Sequence, residues 1–166
     1  LQLGAPVKWI ADRQENMLTF HARGHSVDLT AAVAEDGTIQ CIQARIVADL
    51  GAYFLPPTAD IPDLAAHRVV GPYLVPVIRI EVIGVITNKT PTGAYRGAGG
   101  PEAAFCTERT VDLIALDLGL PVEEIRRRNF IPPNAFPYST PTGLTYDSGN
   151  YNEAFERALS LADYYS

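Results

Sequence analysis

The sequence predicts an α+β fold: a mixed or antiparallel sheet, with helices following a glycine-rich loop. Three observations carry this. Two alternating runs, Ser26–Ala34 and Thr38–Asp49, meet at Asp36-Gly37, the pattern of a hairpin. A third alternating run, Val77–Thr87, stands further along the chain. After it come Gly97-Ala98-Gly99-Gly100-Pro101 and then a helical stripe reaching Leu118.

In chain order, Pro6–Asp12 (PVKWIAD) reads as a short strand, broken by Arg13-Gln14-Glu15-Asn16. Asn16 is placed to cap a brief turn of helix. In the first hairpin strand Val27, Leu29, Ala31 and Val33 share one face, opposite Ser26, Asp28 and Thr30. In the second, Ile42, Ala44, Ile46 and Ala48 share a face. Gly51–Pro76 contains Pro56, Pro57, Pro62, Pro72 and Pro76 and reads as irregular, with a short helix from Pro62 to about Val70. A connection of this length is expected to be functional or covered by another chain.

In Val77–Thr87, Ile78, Ile80, Val82, Gly84 and Ile86 alternate with Arg79, Glu81, Ile83 and Val85. The second set turns from polar to apolar, so burial is expected to increase toward the loop. Pro101 opens the next helix at a position where its missing N–H costs nothing. Ala104, Val111, Ile114, Ala115 and Leu118 form its stripe, and Gly119 supplies the residue just past its end. Pro121 starts a second, short helix, with Glu123 and Glu124 in its first turn and Arg126, Arg127 and Arg128 in its last, matching the helix dipole. Asn129–Asn150 reads as a long loop. Asn150 then caps a final helix, with Tyr151, Ala154, Phe155, Ala158, Leu159 and Ala162 on one face.

With 166 residues, 47% of them hydrophobic, the chain can bury the core of one domain. A net charge of −6 gives no support to nucleic-acid binding, so the arginine run is read as dipole pairing. No apolar run approaches a membrane span, and Leu1-Gln2-Leu3-Gly4 does not read as a signal peptide. Cys41 and Cys106 lack metal spacing and read as reduced core thiols of a cytoplasmic protein. His21 and His25 stand four apart, but Gly24 argues against a helix between them and no acidic residue completes a metal motif.

The chemistry concentrates at the glycine loop. A strand feeding a glycine turn that opens a helix leaves backbone N–H groups free, and with the helix dipole these suit an anion or an electron-rich oxygen. Arg96 is the charged residue just ahead of it. Spacing alone leaves two readings open, a ligand loop and a plain connector. The dinucleotide spacing G-x-G-x-x-G is not met, because Pro101 and Glu102 follow the glycine pair, and the Walker Lys-Ser/Thr is absent.

Three segments together carry a family resemblance: Thr92-Gly93-Ala94-Tyr95-Arg96-Gly97-Ala98-Gly99-Gly100-Pro101-Glu102, then Gly119–Asn129 (GLPVEEIRRRN), then Pro141–Gly149 (PTGLTYDSG). In this order and spacing they resemble the large subunits of molybdenum hydroxylases, the family of xanthine dehydrogenase, aldehyde oxidase and aerobic carbon monoxide dehydrogenase. The opening Pro6–Glu15 resembles it too. The resemblance implies that Arg96, Tyr95 and the backbone of Gly97, Ala98, Gly99 and Gly100 face a molybdopterin-type molybdenum cofactor and its substrate. It implies hydroxylation of an aldehyde or N-heterocycle carbon with oxygen from water. It also implies partners: the remainder of the large subunit, and iron–sulfur and FAD-binding subunits or domains.

Two positions depart from members of that family. Carbon monoxide dehydrogenases place a copper-binding Cys directly after the loop Arg, where this chain has Gly97. Xanthine dehydrogenases place a Phe two residues after that Arg, where this chain has Ala98. The chain reads as one domain, 1–166, a fragment of the molybdopterin-binding region of a larger subunit. The family's catalytic Glu is expected outside it, and Glu102, Glu108 and Glu123 are not nominated as the base. The isolated chain is expected to hold no cofactor, to be inactive and to self-associate as a homo-oligomer. The alternatives are a non-catalytic remnant that serves in subunit assembly, and an unrelated phosphate or nucleotide binder.

Overall fold

The structure is a computed structural model that describes residues 2–56 and 58–165. Pro57, within the expected irregular stretch, lies outside the described residues. The elements run α1 (Arg13–Thr19), β1 (His25–Val33), β2 (Ile39–Gly51), α2 (Asp60–Arg68), β3 (Val77–Ile86), α3 (Gly100–Leu118), α4 (Val122–Asn129), β4 (Tyr138–Ser139), β5 (Thr145–Tyr146) and α5 (Tyr151–Leu161). The fold is α+β with a mixed sheet in the order β1-β2-β3. β1 and β2 pair antiparallel, with Val27 opposite Ile46 and Leu29 opposite Ala44. β2 and β3 pair parallel, with Ile42 beside Ile78 and Ile46 beside Val82. A parallel neighbour needs a crossover, and 52–76, with α2 inside it, provides that crossover.

Central β2 buries Ile42, Ala44, Ile46, Ala48 and Leu50 on one face, as its alternation dictates, and Ile39 joins them across a bulge at Gln40. One cluster joins Ile39 and Ile42 to Val111, Ile114 and Ala115 of α3, and to Ile125, Phe130, Tyr73 and Val75. A smaller one joins Ile46 to Ala65 and Ala66 of α2. The Phe130 and Tyr73 rings stack with centroids 5.5 Å apart. The sheet therefore fixes α2 and α3 side by side, and the chain between β3 and α3 emerges at their common end.

Several expectations are corrected. Pro6–Asp12 forms no strand; it runs without a ladder partner, and Val7, Trp9 and Ile10 are exposed. Asp12, not Asn16, caps α1, in a reciprocal capping box with Glu15. Burial does not rise steadily along the outer face of β3, which lies at the edge of the sheet: Arg79, Glu81 and Val85 are exposed and Ile83 alone of that set is half-buried. The buried stripe of α3 is Ala103, Thr107, Val111, Ile114 and Ala115; Ala104 and Leu118 face outward. Cys41 and Cys106 are only half-buried. In α5, Leu159 is buried, Tyr151 and Phe155 are half-buried, and the three alanines are exposed.

The arginine run does more than match a dipole. Arg126 donates to Glu108 at 2.8 Å and to Asp112 at 3.0 Å, Arg127 pairs with Glu156, and Arg128 pairs with Glu124. Asn129–Asn150 contains a turn of 3-10 helix and the β4–β5 hairpin. That hairpin is tied to the crossover: Thr142 Oγ1 donates to His67 O at 2.7 Å, and Tyr146 OH donates to Gly71 O at 3.0 Å.

Candidate functional site

The segment leading from β3 to α3 is first anchored, then exposed. Pro91, Thr92 and Gly93 are buried. Thr92 N–H donates to Leu50 O at 3.3 Å, Gly93 N–H to His21 O at 2.8 Å, and Thr58 Oγ1 to Thr92 O at 2.9 Å. Ala94, Tyr95, Arg96 and Gly97 then stand out into solvent, with Tyr95 65% exposed. Arg96 makes no ion pair or side-chain hydrogen bond among the described residues, so its guanidinium is available to a ligand.

The turn itself is left-handed at three successive residues, with φ of 96° at Gly97, 36° at Ala98 and 85° at Gly99. Two internal bonds close it: Ala98 N–H to Tyr95 O at 2.8 Å and Gly100 N–H to Gly97 O at 2.9 Å. Gly99 has a second reason to be glycine. A Cβ there would lie 2.4 Å from Ile61 O and 2.7 Å from Ala65 N, so the loop is pressed on the backbone of α2. Gly100 is different: a Cβ there would meet only Arg68 Cδ, at 3.8 Å. Nothing within the described chain requires position 100 to lack a side chain.

The donors this leaves are specific. The N–H groups of Gly97, Gly99 and Glu102 find no acceptor among the described residues. They lie at the start of α3, 19 residues long, where the positive end of the dipole adds to them. Two clefts flank the loop. One of about 360 Å³ lies between Asn16, Phe20, His21, Gly93 and Tyr95. The other, about 210 Å³, lies between Arg23, His25, Glu102, Phe105 and Cys106. Within them His21 Nε2, His25 Nδ1 and Glu102 Oε2 are buried with no hydrogen-bond partner among the described residues. Burial lowers the His25 pKa, opposed by the Glu102 carboxylate. Burial raises the Cys106 thiol, and Glu102 adds to that.

Sequence reasoning brought Tyr95, Arg96 and Gly97–Gly100 to one turn, and the structure places them there. It missed Arg23, whose guanidinium lies 5.1 Å from the Tyr95 ring centre and donates to Arg96 O at 3.0 Å. No local signal marks Arg23, because its partners are more than seventy residues away. It also read Glu102 as a plain helix-start residue, whereas one of its oxygens is buried and unpartnered. Glu108 is occupied structurally, accepting from Tyr73 OH at 2.8 Å and from Arg126. No group of three or more His, Cys, Asp or Glu that could hold a metal ion occurs among the described residues. No helix among them is long and apolar enough to cross a membrane.

Residues 1–130 match the molybdopterin cofactor-binding domain. The chain is 41% identical over 167 residues to the carbon monoxide dehydrogenase large chain of Hydrogenophaga pseudoflava, covering 98% of this chain and 21% of that one. It is 37% identical over 168 residues to the 6-hydroxypseudooxynicotine dehydrogenase complex subunit gamma of Paenarthrobacter nicotinovorans, again covering 98% and 21%. Among solved structures, quinoline 2-oxidoreductase from Pseudomonas putida 86 superposes with a TM-score of 0.88 at 37% identity, covering 98% of this chain and 21% of that one. The chain thus spans about a fifth of the length of the relatives it matches. Family match, near-complete coverage and shared fold agree, and the chain belongs to the molybdopterin cofactor-binding domain family of oxidoreductase large chains.

Proposed function

We propose that this chain forms one wall of a molybdopterin cofactor site in a molybdenum-dependent enzyme that hydroxylates an aldehyde or N-heterocycle carbon with oxygen from water. One observation carries the reading: the N–H groups of Gly97, Gly99 and Glu102 are unpaired at the start of α3, beside a glycine that the chain itself leaves open. The arrangement fits an electron-rich group brought close to backbone. When bound, the cofactor supplies the redox centre, and the protein supplies orientation and charge.

The residues divide the work. Gly97, Gly99 and Glu102 donate N–H groups to oxygen or sulfur atoms of the cofactor. Gly100 permits close approach. Arg96 presents a planar fork of donors to cofactor or substrate. Tyr95 walls the cleft that runs toward Phe20 and His21. Gly97 carries no thiolate, so a copper-assisted oxidation of carbon monoxide at this loop forms no part of the reading. Quinoline 2-oxidoreductase, named for an N-heterocycle, supports that substrate class.

The exposed Val7, Trp9, Ile10, Met17 and Leu18, each more than two-thirds exposed, support a covering partner. The reading assigns that cover to the remainder of a large subunit, in a complex with iron–sulfur and FAD-binding components. The test is molybdenum and pterin analysis of the protein purified in its native complex. About one molybdenum and one pterin per chain is expected. Intact complex with neither would overturn the reading and favour a role in assembly.

A further inference from the structure

We propose that Arg23 is a positioning residue that clamps the Arg96–Gly97 peptide and so aims the Gly97 N–H at the cofactor. The proposal rests on the reading of the loop given above.

Five observations converge on it. Arg23 has φ of 64°, a left-handed conformation that residues with a side chain seldom adopt. Gly24, next along the chain, could take that conformation without strain and does not. Such strain persists where surrounding structure holds it, often at functional positions. The Arg23 guanidinium then stacks on the Tyr95 ring at 5.1 Å and donates through Nη2 to Arg96 O at 3.0 Å. It makes no carboxylate pair among the described residues, so these two contacts define its position.

The direction of the effect follows from peptide geometry. A trans peptide is planar, with its C=O and N–H on opposite sides. Holding Arg96 O toward Arg23 therefore turns the Gly97 N–H the other way. That N–H is one of those without an acceptor among the described residues. Gly97 sits at φ 96° and carries no side chain to resist a flip of the preceding peptide. Without an external hold, the carbonyl rather than the N–H could face the ligand, replacing a donor by an acceptor. Arg23 provides that hold by stacking and by a charge-assisted bond at once, and Lys cannot reproduce the stacked planar fork.

The test compares wild-type protein, Arg23→Gly and Arg23→Lys, each in its native complex. Arg23→Gly removes the clamp and relieves the backbone strain, so the thermal midpoint is not lowered. Hydrogen exchange at Ala98 and Gly100, whose N–H groups close the turn, is expected to rise at least about tenfold. The Mo(V) paramagnetic resonance signal should change shape, and kcat/KM should fall at least about tenfold, with Arg23→Lys recovering only part of each. Arg23→Gly with wild-type exchange and a wild-type signal overturns the proposal. If wild-type complex proves free of molybdenum, the cofactor reading fails by itself. The exchange comparison still decides the clamp: faster exchange supports it and unchanged exchange overturns it.

Discussion

The side-chain amide of Asn129 clasps the hairpin turn at Gly37: Nδ2 donates to Gly37 O at 2.9 Å, 92 positions away. The same amide accepts the Ile39 N–H at 2.8 Å and donates to Ile125 O at 2.8 Å. Asn129 is 1% exposed, so these bonds replace water for three backbone groups at the seam between the sheet and α4.

Removing that amide should be among the most damaging single changes to the fold. Asn129→Leu leaves the Ile39 N–H and the Gly37 carbonyl buried and unpaired. Each orphaned group costs about 1–3 kcal/mol. A loss of about 2–4 kcal/mol is expected in urea unfolding, and a loss under about 1 kcal/mol would contradict the clasp.

Two adjacent glycines should separate folding from ligand approach. Gly99→Ala places Cβ against Ile61 O and Ala65 N at a left-handed φ. It should destabilise the protein by at least about 2 kcal/mol. Gly100→Ala meets only Arg68 Cδ, at 3.8 Å, and should change stability by less than about 1 kcal/mol. It should nevertheless lower the molybdenum content of the purified complex. Equal stability losses at both positions, or full molybdenum in Gly100→Ala, would contradict the assignment of that space.

Asp49 makes the sheet acid-sensitive. Its carboxylate receives Lys89, then the Thr87 hydroxyl at 2.5 Å and the Gly51 N–H at 2.9 Å, joining the ends of β2 and β3. The Lys89 ammonium, followed by the Thr87 hydrogen bond, holds its pKa at about 2, below the ordinary 3.8. A lowered folded pKa gives stability that is fully present above the ordinary value and lost as pH falls through the folded one. The difference in thermal midpoint between wild type and Asp49→Asn should be constant above about pH 4 and shrink between about pH 4 and 2. A gap that widens on acidification would contradict this.

What the sequence made legible was local. Pro101 and Gly119 mark the ends of α3 to within a residue, because each acts through its own backbone. The hairpin was readable from period-2 alternation around Asp36-Gly37. The parallel pairing of β2 with β3 was left open as mixed or antiparallel, since register across a crossover depends on packing. Pro6–Asp12 has strand composition but no neighbouring strand, and composition alone does not make a ladder. The loop residues were legible as a motif. Arg23, and the contact of Gly99 with α2, depend on chain segments brought together only by the fold.

Arg96 should matter to turnover and not to folding. It is exposed and unpaired among the described residues. Arg96→Lys keeps the charge but loses the rigid fork. In the complete enzyme kcat/KM should fall at least about tenfold, roughly 1.4 kcal/mol of transition-state stabilisation, with molybdenum content and thermal midpoint unchanged. Wild-type kcat/KM in that variant would place Arg96 outside the site.

The central claim is that the N–H groups of Gly97, Gly99 and Glu102 are donors to the cofactor. Amide hydrogen exchange tests it directly, comparing cofactor-loaded protein with protein from which the cofactor has been withheld. These amides have no acceptor among the described residues, so they should exchange fast in the cofactor-free protein. Loading should slow them at least about tenfold, while the amides of core strand β2 stay unchanged. Equal exchange at Gly97, Gly99 and Glu102 in the two forms would contradict the account.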